Sequence, residues 1–141
     1  MIPRIVIDTN ILVAALRSRT GASFKLLSLI DSGKFVSCIS VPLVLEYEAA
    51  SKKHAKTLGL AYSDIDDILD YICLVAEHHK VYYLWRPMLK DPNDDMVLEL
   101  AVSGEVEAIV TYNRSDFKGS ERFGIRIISP KDFLKQIGEL P

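Results

Sequence analysis

Four short stretches of this chain carry acidic and amide side chains that could act together on a charged substrate. They are Asp8-Thr9-Asn10, the pair Glu46 and Glu48, the run from Asp91 to Asp95, and Thr111 through Asp116. Several carboxylates in one cleft oppose one another's ionisation. A divalent cation removes that difficulty. Mg²⁺ or Mn²⁺ takes hard oxygen ligands and keeps several waters, so one or two direct carboxylates suffice. Such a centre supports attack of water on a phosphodiester without a nucleophilic side chain.

Each stretch has its own local logic. Asp8 follows Ile5, Val6 and Ile7, a continuous apolar run of the kind found in interior strands of parallel sheets. Its carboxylate therefore leaves directly from the core. Asn10 is either a cap for a helix over 11–17 or a second rim residue. In the third stretch, Asp91 before Pro92 reads as an N-cap followed by proline at the first helical position. Asp94 then shares a face with Val97, Leu98 and Ala101 and projects inward at a helix N-terminus, where the dipole favours an anion. Asp95, about 100° further round, reads as solvated. Glu46 and Glu48 point about 160° apart on a helix, and periodicity does not choose between them. Thr111, Asn113 and Asp116 follow Ala108–Val110, a second buried strand.

The elements needed to gather these groups are present. Strands are expected at 4–7, 35–39, 81–85, 107–111 and 125–128. Helices are expected at 11–17, 23–32 (ending at Gly33), 41–57 (capped by Ser40), 63–79 (starting at Ser63), 92–103 and 130–137 (opened by Ser129 and Pro130). Strands alternating with helices predict a parallel sheet covered on both faces, with ligands beyond the carboxyl ends of the strands. Asp8 stands at that rim.

The totals set the outer bounds. At 141 residues the chain suits one domain. Its 49% hydrophobic and 26% charged content is that of a globular protein. No apolar run approaches the ~20 residues of a membrane span, and the opening residues lack an export signal. Cys38 and Cys73 read as buried, reduced thiols of a cytoplasmic protein. A net charge of −2 neither supports nor excludes a nucleic-acid substrate. No serine-hydrolase elbow or phosphate-binding P-loop occurs. His54, His78 and His79 read as solvated helix-end residues. Tyr82, Tyr83 and Trp85 read as strand packing rather than base stacking. Arg17, Arg19, Lys52, Lys53, Lys56, Arg86, Arg114 and Lys118 are candidates to line a substrate path, with solvated surface the reading for most of them.

Taken in order, "IVIDTNILVAAL", "VPLVLEYE", "DPNDDMVLELAVSGEVEAIVTYNRSDF" and "IISPKDFL" resemble PIN-domain ribonucleases, most closely the VapC-like toxins of prokaryotic toxin–antitoxin pairs. The resemblance spans essentially the whole chain, 1–141, as one PIN-like domain. It implies a three-layer α/β/α sandwich with a parallel five-stranded sheet ordered 3-2-1-4-5. It implies that Asp8, Glu46 and Asp94 hold the metal and that Thr9, Asn10, Thr111 and Asn113 shape the pocket, Asn113 orienting a water or ligand without adding charge. The family's T-x-D reads here Thr111-Tyr112-Asn113, a departure that removes one acid. Asp116 is then the candidate replacement. The implied activity is Mg²⁺- or Mn²⁺-dependent endoribonuclease cleavage leaving a 5′-phosphate and a 3′-hydroxyl. The implied partners are an RNA substrate, an antitoxin covering the acidic cleft, and a second copy of the chain. A weakly active or inactive RNA- or protein-binding module is the alternative that Asn113 favours. An aspartyl-phosphate phosphatase is disfavoured because Asp8 is followed by Thr9-Asn10-Ile11 rather than by a second acid.

Overall fold

The computed structural model describes residues 2–81 and 92–141. Consecutive side chains of a strand point to opposite faces. Ile5, Val6 and Ile7 are nonetheless all buried, as are Ala108, Ile109 and Val110, so both faces of the sheet are covered there. The sheet runs β1 (Arg4–Ile7), β2 (Val36–Ile39), β3 (Glu77–His78), β4 (Ala108–Val110) and β5 (Arg126–Ile128), in spatial order 3-2-1-4-5. Each of its described ladders is parallel. The chain builds outward from β1 in one direction and then resumes beside β1 in the other. β1 and β4 are therefore neighbours, with Ile7 opposite Val110. That is the switch point at which open α/β sheets bind ligands.

The helices are α1 (Thr9–Arg17), α2 (Ala22–Ser28), α3 (Val41–Lys53), α4 (Ala55–Leu58), α5 (Tyr62–Val75), α6 (Pro92–Ser103) and α7 (Pro130–Gln136). Local chemistry explains their starts. Ser40 Oγ accepts from the Leu43 N–H at 3.3 Å and Ser129 Oγ from the Asp132 N–H at 3.1 Å, each with a proline in the first turn. The core fills the space between layers. Phe35 and Phe133 meet edge to face at 5.7 Å between ring centres, which ties α7 to the residue preceding β2.

Several boundaries differ from the sequence expectation, each for a local reason. The helix expected over 23–32 stops at Ser28, and turns complete the path to Gly33, whose φ is +81°. The helix expected over 41–57 breaks at His54 and resumes as α4. α5 begins one residue before Ser63, because the Asp64 carboxylate accepts from the Ala61 N–H at 2.8 Å. It ends at Val75, and Glu77–His78, expected in that helix, pair with β2 instead. The strand expected over 81–85 lies, apart from Val81, outside the described residues, as do Tyr82, Tyr83, Trp85, Arg86 and Asp91. Cys38 is buried, Cys73 is partly exposed, and both are free thiols. Among the described residues no helix is long and apolar enough to cross a membrane.

β3 is anchored by charge as well as by its ladder. Arg4 pairs with Glu77 through both guanidinium nitrogens and donates through Nε to the Gly104 carbonyl at 3.0 Å. His79 closes the group through the same carboxylate, at 2.6 Å. The Arg4 guanidinium, with help from His79, holds the Glu77 carboxyl below its ordinary value of 4.5. Stability from this group is therefore present above that value and lost as pH falls through the lower folded value. Glu77→Gln is expected to lower stability at neutral pH, with the deficit shrinking as the solution is acidified. Urea denaturation across a pH series checks this, and a deficit independent of pH would contradict it.

Candidate active site

The carboxyl ends of β1 and β4 are held together by the residues that follow them. The Asp8 N–H donates to the Val110 carbonyl at 3.0 Å, extending the ladder one residue past β1. Asp8 is 6% exposed. Its Oδ1 accepts from the Thr9 N–H and its Oδ2 from the Thr111 hydroxyl, both at 2.8 Å. Asp8 is thus the N-cap of α1 and a rim carboxylate at once.

Thr111, fully buried, is the hub of this arrangement. While its hydroxyl donates to Asp8, it accepts from Asn10 Nδ2 at 3.2 Å and from the Asn113 N–H at 3.1 Å. Asn10 Oδ1 in turn accepts from the Tyr112 N–H at 3.4 Å. Asn10 lies inside α1 and bridges the two strand ends, so it is not a helix cap. Tyr112 is anchored a second time where its hydroxyl meets Ser23 Oγ at 2.5 Å.

Asp8, Glu46, Asp94, Asn113 and Asp116 line one cleft of about 590 Å³ at this rim. They come from the β1–α1 junction, α3, α6, and the residues after β4 that lead into and form the short 3₁₀ turn at Arg114–Phe117. Thr9 and Asn10 line it too, whereas Thr111 lies beneath it. Glu48, which periodicity left as an equal of Glu46, pairs with Lys52 at 3.0 Å. Asp94 is half-buried in the first turn of α6, on the face that buries Val97, Leu98 and Ala101. Asn113 and Asp116 are exposed, and the Asp116 N–H donates to the Asn113 carbonyl at 3.1 Å.

Two groups at the site, Tyr47 and His54, are given no role by the sequence, and a third, Arg17, is one of eight basic residues offered there for a substrate path. Tyr47 is buried, and its hydroxyl donates to the Ile7 carbonyl, immediately before Asp8. Burial, reinforced by the charges of Asp8 and Glu46, pushes its phenol well above its ordinary value. Its adjacency to Glu46 concealed it, because neighbours in a helix face different ways. Arg17 and His54, read as solvated, line the cleft; seven residues after Asn10 and eight after Glu46 is the spacing that put them there. The other two histidines also depart from that reading: His78 lies on β3 and His79 contacts Glu77 and Arg4.

A second group of metal-ligand type lies elsewhere. Cys38, Glu77 and His79 place ligand atoms within 4.8 Å of one another. Arg4 is paired with this Glu77, four residues back along β1 from Asp8, roughly 13 Å. A guanidinium in contact with both Glu77 and His79 opposes a cation there.

Thr111→Val keeps the shape but leaves the Asn10 amide, the Asn113 N–H and Asp8 Oδ2 short of a partner. It is expected to destabilise the fold by about 1–3 kcal/mol, with Thr111→Ser costing less. Urea midpoints with unchanged slopes check this, and equal stability of Thr111→Val and the parent would refute it.

The comparisons with known proteins agree with the topology. The PIN-domain sequence profile matches residues 4–115. No curated protein matches the chain. Among solved structures, the fold is similar to a chain in the crystal structure of VapBC2 from Rickettsia felis bound to a DNA fragment from their promoter. The TM-score is 0.59 at 17% identity, over 88% of this chain and 98% of that one. The profile covers most of the chain and the sheet order is the one its motifs implied, so this protein belongs to the PIN-domain family, whose members are typically nucleases.

Proposed function

We propose that this chain is a Mg²⁺- or Mn²⁺-dependent endoribonuclease and the toxin component of a toxin–antitoxin pair. The observation that carries the reading is the convergence of Asp8, Glu46, Asp94 and Asp116 on one cleft at the β1–β4 switch point. The donor set suits such an ion, since carboxylate and amide oxygens on several rigid elements are hard ligands. Thr9 Oγ1, buried at the head of the cleft, has no hydrogen-bond partner among the described residues and leaves a polar atom for water or an ion-bound oxygen.

In this proposal Asp8, Glu46 and Asp94 hold the ion. Bound there, it would polarise the scissile phosphate and make a coordinated water acidic. The protein's part is positional. Thr111 and the Thr9 N–H fix the orientation of Asp8, as partners of metal ligands do elsewhere. Asp94, at the start of α6, is favoured as an anion by the helix dipole. Asn113 offers an amide oxygen and two donors, which orient a water or phosphate without adding charge. Asp116 supplies an exposed carboxylate able to accept a proton from attacking water.

The fold shared with a chain of a VapBC2 structure supports an antitoxin as partner. Apolar side chains left exposed, Val41 and Leu45 a turn apart on α3 and Leu74 on α5, are surface available to that partner or to a second copy of the chain. The working place of such a pair is the cytoplasm. Asn113 favours one other reading, a PIN-like module that holds RNA without cutting it.

Purified protein incubated with structured and single-stranded RNA is expected to cleave only when Mn²⁺ or Mg²⁺ is present, and chelation should abolish the activity. Asp8→Asn and Glu46→Gln should each lower the rate by at least about 10–100-fold, while Glu48→Gln leaves it near the parent value. RNA binding and metal binding without cleavage would select the module reading. Neither cleavage nor metal binding would refute the enzyme.

A further inference from the structure

The cleft continues past its acids. Asn10, Val13, Ala14 and Arg17 form a stripe along α1, and Glu46, Ala50 and His54 form the facing stripe on α3. Both helices leave the rim after the carboxyl end of a strand, so the two stripes run away from the acidic end together. Seven and eight residues of helix rise about 10 and 12 Å. The cleft is therefore a two-ended slot with carboxylates at its head, small apolar side chains midway, and a guanidinium and an imidazole at its far end.

Ion pairing among the described residues does not account for the far end. Among the described residues neither Arg17 nor His54 joins an ion pair, whereas Lys52 is held by Asp66 at 2.8 Å and Arg114 by Asp132 at 3.5 Å. Arg17 is exposed and His54 half-buried. A guanidinium binds phosphate through paired donors, and Val13, Ala14 and Ala50 are small enough to leave the passage to it open.

We infer that Arg17, with His54 opposite, is a second phosphate subsite, taking a backbone phosphate of the same RNA strand one or two nucleotides from the scissile bond. This rests on the ribonuclease reading above and deepens it, because it gives the strand a direction through the cleft, from the acids outward between α1 and α3. Arg17 is a positioning and binding residue here, remote from the reacting atoms.

The test uses the full chain carrying Asp8→Asn, so that RNA stays intact, and fluorescence anisotropy with labelled single-stranded RNA over a salt series. Adding Arg17→Ala is expected to weaken binding about tenfold to a hundredfold, the range for a charged hydrogen-bonded contact. It should also make the dependence of log affinity on log salt shallower by about 0.7, the value for one single-strand phosphate contact. Arg17→Lys should keep the slope, His54→Ala should weaken binding less than Arg17→Ala, and a dinucleotide, too short to span the slot, should not distinguish the proteins. Equal affinity and slope with and without Arg17→Ala would overturn the subsite while leaving the nuclease reading intact. An absence of RNA binding by the Asp8→Asn chain would overturn both, and the cleavage assay on the parent reports that failure separately.

Discussion

The hydrogen bond from Thr111 to Asp8 is the constraint on which the rest of the site depends. It joins the residue just past β4 to the residue just past β1, two positions about a hundred residues apart in the chain that become neighbours only because the sheet is ordered 3-2-1-4-5. Through that one hydroxyl, Asn10 on α1 and Asn113 after β4 are registered as well. The bond is buried, so it operates in a low dielectric, where a satisfied polar network rigidifies its surroundings and a broken one is costly. A carboxylate at the inner rim of a hydrophobic core is tolerable because its donors are already in place.

The remaining elements serve this junction from either side. Tyr47 reaches from α3 to the Ile7 carbonyl and so seats Glu46's helix against the strand that ends in Asp8. α6 packs on β1, β2 and β4 with its buried face, which brings Asp94 in its first turn to the same cleft. At the opposite end of the sheet, Arg4 ties β1 to β3 and to the turn after α6 through Glu77 and Gly104. One end of the sheet thus holds its charges in mutual pairs. The other brings Asp8, Glu46, Asp94 and Asp116 to the lining of one cleft.

Much of the fold could be read from patterns of one or two residues. Apolar runs such as Ile5-Val6-Ile7 and Ala108-Ile109-Val110 mark interior strands because burial on both faces abolishes alternation. Serine followed by proline marks helix starts because the cap geometry is local. What failed was also local in cause. The expected helix over 63–79 overran into Glu77 and His78, which have no intrinsic strand signal and pair with β2 because Cys38 and Ile39 offer an open edge there. His54 interrupts the expected helix over 41–57 with nothing in its neighbours to announce it.

The sequence by itself determined the kinds of residue available at the site and their order: Asp8 at a strand end, an acid in a helix after β2, Asp94 in a helical first turn, and Thr111-Tyr112-Asn113 where the resembled pattern reads T-x-D. Those are one-dimensional properties, carried by spacing and by burial patterns over a few residues. Only the tertiary structure decided which of them share a cleft. Glu46 and Glu48 are equivalent by periodicity, and the packing of α3 sends one to the cleft and the other to Lys52. Arg17 and His54 look solvated along the chain, and α1 packed against α3 makes them the two sides of one slot. The physical reason is the same in each case. A side chain's role follows from which neighbouring element its face meets, and contact between elements is a long-range property that no local pattern encodes.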